Sequence, residues 1–306
     1  GEQVGNYVVE RQIARGGSSI VYRARHLGDG RRIAVKVLLP ELVKHRTAVR
    51  RFLREVDAVQ AVDHPNIVRL LSSGLVALGR PYLVLELLHG APLASLINGP
   101  MDTACVIEIV RQAASALDAV HEASVVHRDI STANVLLAVG PGDRVLVKLV
   151  DFGIAKLLDS VVVITSDNLD LGSPGFRAPE QEREPSNAGY RADIYALAVT
   201  SFVLLSGGKS PWGHGSLASV LERKARDPTP DLRAICPHLS VEQATVLQVA
   251  MAREPMKRWG SAGEFALAFR AACDLAELPA APLDGFLDQI TRHSGRSGGS
   301  PTTPHG

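Results

Sequence analysis

Apolar and polar residues alternate with a period of two in several short runs near the start of the chain, the pattern of strands with one buried face. Five runs predict strands, over residues 7–14, 20–25, 32–39, 68–75 and 82–87. Gly28-Asp29-Gly30 predicts a hairpin turn between the second and third strands. Residues 47–62 place apolar side chains at helical spacing and arginines on the other side, which predicts one amphipathic helix. The first part of the chain should therefore form a small antiparallel sheet with a single helix.

The pattern changes to helical periods after Gly90-Ala91-Pro92. Five helices are predicted, over residues 103–123, 191–206, 216–226, 241–252 and 261–274. Strands followed by helices, without a regular alternation of the two, indicate an α+β fold with a boundary near residues 86–91. From about His293 onward the chain is rich in Ser, Gly, Thr and Pro, which predicts a flexible linker because so little apolar surface can be buried.

Composition excludes several classes of protein. The 306 residues are 46% hydrophobic, so the chain can bury a large core in one big domain or two lobes. A net charge of +1 gives no basic field for nucleic acid or for a membrane surface. The longest nearly apolar stretch, residues 195–205, is shorter than the roughly 20 residues that span a bilayer, so no membrane segment is expected in this chain. Three widely spaced cysteines, at 105, 236 and 273, fit reduced thiols in a cytoplasmic domain, and an anchor beyond residue 306 is left open.

Four groups of charged residues lie beside apolar elements, where packing alone would not place them. They are Lys36 after an apolar strand, His127-Arg128-Asp129 with Asn134, Asp151-Phe152-Gly153, and Ala178-Pro179-Glu180. The ammonium group of a lysine can bind phosphates, and one carboxylate can accept a proton from an attacking hydroxyl. An amide and a second carboxylate can together bind magnesium. Each run alone is weak evidence, but their order along the chain indicates a phosphoryl-transfer site.

With these motifs the sequence resembles the protein-kinase family, and within it the bacterial (eukaryotic-like) serine/threonine kinases. The resemblance covers roughly residues 7–274 and implies a two-lobed α+β fold, with a small β-rich N-lobe and a larger helical C-lobe. The implied parts are an N-terminal flank (1–6), the N-lobe (7–86), the hinge (87–91), the C-lobe (92–275), and a C-terminal extension with a flexible linker (276–306).

The resemblance also implies roles for the charged residues. Lys36 would contact the ATP phosphates and pair with Glu55, for which a plain helix-surface carboxylate is the alternative. Asp129 would be the base that aligns the substrate hydroxyl, and Asn134 and Asp151 would hold Mg²⁺, with Mn²⁺ as an alternative metal.

The nucleotide pocket is implied by weaker signals. Residues 14–21 stand where the family has a glycine-rich lid, but only Gly16 is kept, and Ala14 and Ser19 replace the first and third glycines. Backbone groups of Glu86 and Leu88 would read the adenine at the hinge, with Leu85 behind it. Four apolar residues would sandwich the base, although ordinary core packing explains them as well: Ile13, Val21, Ala34 and Leu136.

The segment between Asp151 and Glu180 resembles an activation segment. Thr165, Ser166 and Ser173 are possible phosphoacceptors in it, and ordinary polar loop residues are the alternative. Arg128 would clamp the resulting phosphate. Residues 172–180 resemble the stretch that selects serine/threonine substrates. Two structural ties are also implied, a pair between Glu180 and Arg258 and an anchor from Asp193 to the catalytic loop.

One departure leaves a second reading open. Serine/threonine kinases usually carry lysine two places after the catalytic aspartate, whereas this chain has Ser131. Together with Ala14 and Ser19, it permits a pseudokinase that binds nucleotide or partners with little turnover. A small-molecule kinase of the antibiotic-phosphotransferase type should lack the 173–180 stretch and Arg258. The expected activity is ATP-dependent phosphorylation of serine or threonine in protein substrates, with a homodimer as a candidate partner for autophosphorylation.

Overall fold

The computed structural model describes residues 2–17, 19–40, 56–57, 59–76, 79–152, 175–183, 188–213, 215–273, 277 and 279–296. Most of the predicted helix over residues 47–62 lies outside this part of the chain. Of its last turns, Val56, Asp57, Val59 and Gln60 are helical, and both valines are buried.

Six strands form an antiparallel sheet in the order β1-β2-β3-β4-β6-β5. Their bounds are β1 Gln3–Val4, β2 Tyr7–Arg15, β3 Ser19–His26, β4 Arg32–Leu38, β5 Leu70–Val76 and β6 Arg80–Glu86. The five predicted strands are confirmed to within two residues at each end, while β1 lies in the segment expected to be only a flank. One face of the sheet buries a small apolar cluster of its own, made of Val4, Ala24, Ile33, Val35, Val37 and Val84.

A second, three-stranded sheet begins directly after the first one ends. Its strands are β7 Gly90–Pro92, β8 Val135–Val139 and β9 Val145–Leu149, in the order β7-β8-β9. Gly90 must be a glycine, because a Cβ there would meet the Leu137 carbonyl oxygen at 2.8 Å. The pairing of Val135 with Leu149 brings the loop before β8 next to the loop after β9. The β8-β9 hairpin thus brings the 127–134 motif next to the motif that begins at Asp151.

The rest of the described chain is mainly helical. Its helices are α1 Leu93–Leu96, α2 Thr103–Glu122, α3 Pro179–Arg183, α4 Arg191–Leu205, α5 Leu217–Arg226, α6 Leu232–Ile235, α7 Val241–Ala250, α8 Ala262–Ala272 and α9 Leu287–Arg296. The five predicted helices are confirmed as α2, α4, α5, α7 and α8. Side chains of Asp102, Ser216, Ser240 and Ser261 cap the starts of α2, α5, α7 and α8. A β-rich lobe followed by a helical lobe confirms the expected α+β class.

Helix α4 forms the centre of the helical lobe. Every residue from Ala192 to Leu205 is buried, so α4 is apolar on all sides because other elements surround it. In the described part of the chain, no helix combines the length and apolarity needed to cross a bilayer. Burial raises the pKa of the Cys105 thiol to about 11, as expected of a thiol that is protonated at neutral pH.

The predicted flexible linker begins too early. Helix α9 continues through residues 293–296, which the composition had assigned to the linker. The reason is tertiary packing: Leu283 and Ile290 are buried against the helical lobe, and they fix a helix whose own sequence is strongly polar. Residues 297–306, the remainder of that predicted linker, lie outside the described part of the chain.

Candidate active site

A cleft of about 460 Å³ lies between the six-stranded sheet and the β7-β8-β9 sheet, a volume typical of small-molecule sites. Residues from both sheets and from the connection between them line it. Among the residues expected to bind nucleotide, the lining includes Ile13, Ala14, Val21, Ala34, Glu86, Leu88, Leu136 and Asp151. Leu85 and Asn134 also line this cleft, while Gly16 does not; its N–H donates to the Ser19 carbonyl in the hairpin loop.

Lys36, also expected to bind nucleotide, does not line this cleft itself; it borders a smaller cavity that shares Asp151 with the cleft. It sits on the central strand β4, and its ammonium Nζ donates to Asp151 Oδ1 at 2.7 Å. The lysine side chain is only 9% exposed, and that of Asp151 is 38% exposed. A lysine buried among valines needs an anion, and Asp151 provides one that still faces the open cleft. The other expected partner, Glu55, lies outside the described residues.

His127 packs beneath the two catalytic motifs. Its ring is completely buried and stacks on Phe152, with ring centroids 4.5 Å apart. Burial lowers the pKa of His127, which keeps the imidazole neutral. Because Nε2 lies 3.1 Å from the Val150 carbonyl, it must carry the proton, and Nδ1 is then free to accept the N–H of Asp129 at 3.3 Å. One neutral histidine therefore connects the loop before β8 with the end of β9.

Asp193 holds the same loop from below. Its fully buried carboxylate accepts the backbone N–H of His127 at 2.8 Å and that of Arg128 at 2.7 Å. A further hydrogen bond joins Asp193 Oδ2 to His121 Nε2 at 2.8 Å. These contacts stabilise a loop in which Arg128 adopts a left-handed backbone conformation with φ of 63°. Such a conformation costs roughly 1–3 kcal/mol for a non-glycine residue and persists only when its surroundings impose it.

Asn134 joins the loop to the cleft. Its Nδ2 donates to the Asp129 carbonyl at 2.8 Å, so the amide is oriented and its Oδ1 remains an acceptor. Asn134 and Asp151 line the same cleft, whereas Asp129 is placed beside it through its backbone bond to Asn134. One amide oxygen and one carboxylate are the donor set by which Mg²⁺ binds to proteins together with phosphates, so these residues fit such a cation.

The expected pair between Glu180 and Arg258 is present. Arg258 Nη1 and Nη2 donate to Glu180 Oε1 and Oε2, both at 2.7 Å, and the arginine side chain has no exposed surface. The same guanidinium donates to the carbonyls of Ala252, Arg191 and Arg253. All its donors are thereby engaged, which makes this a structural tie.

Two supporting residues have no signal in the sequence. Gln181 accepts the N–H of Ala178 at 2.8 Å and donates to the Arg128 carbonyl at 3.0 Å. It therefore joins the Ala178-Pro179-Glu180 motif to the loop before β8. Lys224, in a run that resembles a basic helix end, is 2% exposed and donates to the Gly175 and Arg177 carbonyls. Burial lowers the pKa of Lys224 to about 8.

Two further features at the cleft were not predicted from the sequence. The first is the role of the Glu86 carboxylate: it accepts Lys148 Nζ at 2.6 Å and the N–H of Arg69 at 2.9 Å. His293 and Ser294 of α9 line the cleft, although the sequence placed them in a linker. The expected phosphoacceptors Thr165, Ser166 and Ser173 lie outside the described residues.

Comparison with known proteins agrees with this geometry. The family model "Protein kinase domain" matches residues 7–267. Serine/threonine-protein kinase Pkn1 of Myxococcus xanthus is 35% identical over 272 residues, which cover 89% of this chain and 39% of Pkn1. PrkC of Bacillus subtilis is 32% identical over 277 residues, covering 90% of this chain and 41% of PrkC. The chain thus spans about two fifths of the length of these relatives.

A solved structure shows the same fold. The crystal structure of the PknI kinase domain of Mycobacterium tuberculosis matches with a TM-score of 0.70 and 28% identity, covering 89% of this chain and 98% of that domain. Fold, motif geometry and sequence identity therefore agree, and the chain belongs to the protein kinase domain family.

Proposed function

We propose that this chain transfers the γ-phosphate of ATP to serine or threonine hydroxyls of protein substrates. The observation that carries the proposal is the Lys36–Asp151 contact of 2.7 Å, because Asp151 lines the cleft together with Asn134. The matched relatives are named serine/threonine-protein kinases. The family is one that uses ATP and a divalent metal ion.

In this mechanism the nucleotide lies along the cleft. Backbone groups of Glu86 and Leu88 receive the adenine, and Ile13, Val21, Ala34 and Leu136 pack against its faces. Lys36 contacts the phosphates beside Asp151, where Glu55 would share its charge. Gly16, in the hairpin loop between β2 and β3, would approach the phosphates.

Asp129 acts on the substrate. The serine or threonine oxygen attacks the γ-phosphorus, the bond from that phosphorus to the β-bridging oxygen breaks, and ADP leaves with the electron pair. Asp129 aligns the hydroxyl and accepts its proton. A divalent cation, Mg²⁺ by preference and Mn²⁺ as an alternative, would neutralise phosphate charge from Asn134 and Asp151. Most of the catalysis is then positioning and electrostatic stabilisation.

Regulation and surroundings follow from the same proposal. Phosphate on Thr165, Ser166 or Ser173 would add about −1.5 to −2 charges near Arg128 and order the activation segment. Two copies of the chain would perform this reaction on one another as a transient homodimer. A domain that consumes ATP and carries reduced thiols belongs in the cytoplasm.

The test is direct phosphoryl transfer. Purified chain is incubated with labelled ATP and either Mg²⁺ or Mn²⁺, beside an Asp129→Asn variant, and labelled residues are mapped by mass spectrometry. We expect label on serine and threonine residues of the unmodified chain and of added protein, and none with Asp129→Asn. Nucleotide binding without any metal-dependent label would instead identify a pseudokinase.

A further inference from the structure

Residues 279–296, which lie beyond the family match that ends at residue 267, are fastened to the rest of the domain. The Ala280 carbonyl accepts Arg144 Nη2 at 3.2 Å, and the Pro282 carbonyl accepts the Cys105 thiol at 3.1 Å. Asp284 Oδ1 accepts the N–H of Val145, the first residue of β9, at 3.0 Å. Leu283 between them is 2% exposed. This extension is therefore a fixed part of the domain.

The anchored extension delivers α9 to the hinge side of the cleft. Helix α9 packs against β7 and β8, and Ile290 on its inner side has no exposed surface. One turn further on, the Ser294 hydroxyl lies 3.5 Å from the Gly90 carbonyl, at the start of β7. As a result, His293 and Ser294 form part of the wall of the nucleotide cleft.

The position of α9 determines which part of a nucleotide it faces. In the proposed function the phosphates lie at Asp151 and its partner Lys36, whereas Ser294 lies beside Gly90, on the hinge side of the cleft that Asp151 also lines. Of the neighbouring wall residues, Leu88, Gly90 and Pro92 carry no side-chain hydrogen-bonding group, whereas the exposed His89 carries an imidazole. On α9, the imidazole of His293 has one donor and one acceptor nitrogen, and the hydroxyl of Ser294, which donates to the Gly90 carbonyl, has oxygen lone pairs that accept. A ribose, with two adjacent hydroxyls, has the matching chemistry.

We propose that His293 and Ser294 are positioning residues for the ribose of the bound nucleotide, which makes α9 an integral wall of the site. This inference rests on the proposed function, because it takes ATP as the nucleotide. It also implies coupling in both directions: a nucleotide that contacts α9 must stabilise the docked helix by the same factor by which the docked helix strengthens nucleotide binding.

The experiment compares two nucleotides on three proteins. Equilibrium dissociation constants are measured for a non-hydrolysable ATP analogue and its 2′,3′-dideoxy form, with the unmodified chain, His293→Ala/Ser294→Ala and Arg292→Ala. Arg292 is the control because it is exposed on the same helix, its Nε donates to the Asp288 carbonyl, and it does not line the cleft.

We expect the unmodified chain and Arg292→Ala to prefer the ribose form. In His293→Ala/Ser294→Ala this preference should shrink by roughly 3- to 10-fold, the loss produced by one or two hydrogen bonds of ordinary strength. The KM for ATP should rise by the same factor with kcat unchanged. Hydrogen exchange adds a second readout: the ribose analogue should slow exchange of the α9 amides in the unmodified chain and do so less in the double variant.

The outcomes separate the two proposals. If the double variant keeps the full ribose preference and the nucleotide-dependent protection of α9, the assignment of His293 and Ser294 is overturned while the proposed function stands. If the unmodified chain binds no ATP analogue at all, both the proposed function and this inference are overturned.

Discussion

Two ion pairs of this domain each join a basic side chain to a carboxylate, but they differ in burial and in the number of hydrogen bonds that the cation donates. Lys36 meets Asp151 through one contact, and the aspartate side chain remains 38% exposed to the cleft. Arg258 meets Glu180 through two contacts, and the arginine side chain has no exposed surface. Both pairs join residues far apart in sequence.

The difference lies in how completely each cation is satisfied. Arg258 also donates to three backbone carbonyls, so it has no donor left for a ligand. Among the described residues, Lys36 donates to Asp151, whose carboxylate fits a metal ion as well, and the pair borders a cavity. A charge that works on substrate must be able to exchange partners, whereas one that supports the fold must be fully engaged. The two ion pairs therefore differ in how deeply they are buried and in how many of the cation's N–H groups are hydrogen-bonded.

Removing the positive charge of the Lys36–Asp151 pair should have the largest effect on activity. Lys36→Met is expected to lower phosphoryl transfer by more than roughly 10³-fold, because the phosphates lose the cation that positions them. The fold should persist, since methionine suits an apolar strand. Turnover and circular dichroism are measured together.

Lys257→Met is the matched control for Lys36→Met. Lys257 pairs with Glu254 at 2.9 Å, but both side chains are 67% exposed, so turnover should not change. A folded Lys36→Met protein with undiminished turnover would remove the central assignment.

Breaking the Arg258–Glu180 pair should instead reduce the stability of the fold. Arg258→Met leaves Glu180 and three carbonyls without their donor, and we expect the free energy of unfolding to fall by roughly 3–5 kcal/mol. Urea unfolding measures the change. The control is Arg226→Met, whose exposed pair with Glu222 at 2.6 Å should contribute at most about 0.5 kcal/mol. Equal losses from both variants would show that burial does not separate these pairs.

Residues in local motifs could be found from the sequence, and residues that act through distant contacts could not. The strands follow from alternation, and the placement of Lys36 on β4 follows from a charge next to Val35. Lys224 looks like one of several basic residues at a helix end, because nothing nearby in sequence shows that the Arg177 carbonyl covers it. The polar composition of α9 likewise conceals that Ile290 is buried. Such features depend on which surfaces meet after folding.

Lys224 offers an intermediate case, a buried cation whose ammonium donates to the backbone carbonyls of Gly175 and Arg177. Burial lowers its pKa to about 8 from the ordinary 10.5. Between these pH values the unfolded chain binds more protons than the folded one, so this residue makes the free energy of unfolding rise with pH across that window. The rise should reach up to about 3 kcal/mol and be absent in Lys224→Met.

The measurement for Lys224 is urea unfolding at several pH values from 7 to about 10.5, with each variant compared to the unmodified chain. Lys209→Met is the control, since Lys209 is exposed and should leave the pH dependence intact. If Lys224→Met and Lys209→Met give parallel stability curves, the buried ammonium does not titrate in this range.

The smallest effect is expected at Ser131, where related kinases place a lysine. Ser131 is 2% exposed, and its carbonyl accepts the N–H groups of Asn134 and Val135, both at 3.1 Å. A lysine there would need a path out of a buried turn before its ammonium could reach a phosphate, so the gain from a restored donor is offset by strain and lost packing. We expect Ser131→Lys to raise turnover by less than about 10-fold, compared with the roughly 10²-fold that a well-placed donor gives.

Ser131→Met is the matched control, because methionine has a similar length to lysine without the charge, and the ratio of the two turnover numbers isolates the effect of the ammonium. A ratio near 10² would mean that the site lacks a donor it was built to use, and the pseudokinase reading would gain weight. A ratio near one would mean that Lys36 and the metal-binding residues already supply the electrostatic stabilisation that the reaction needs.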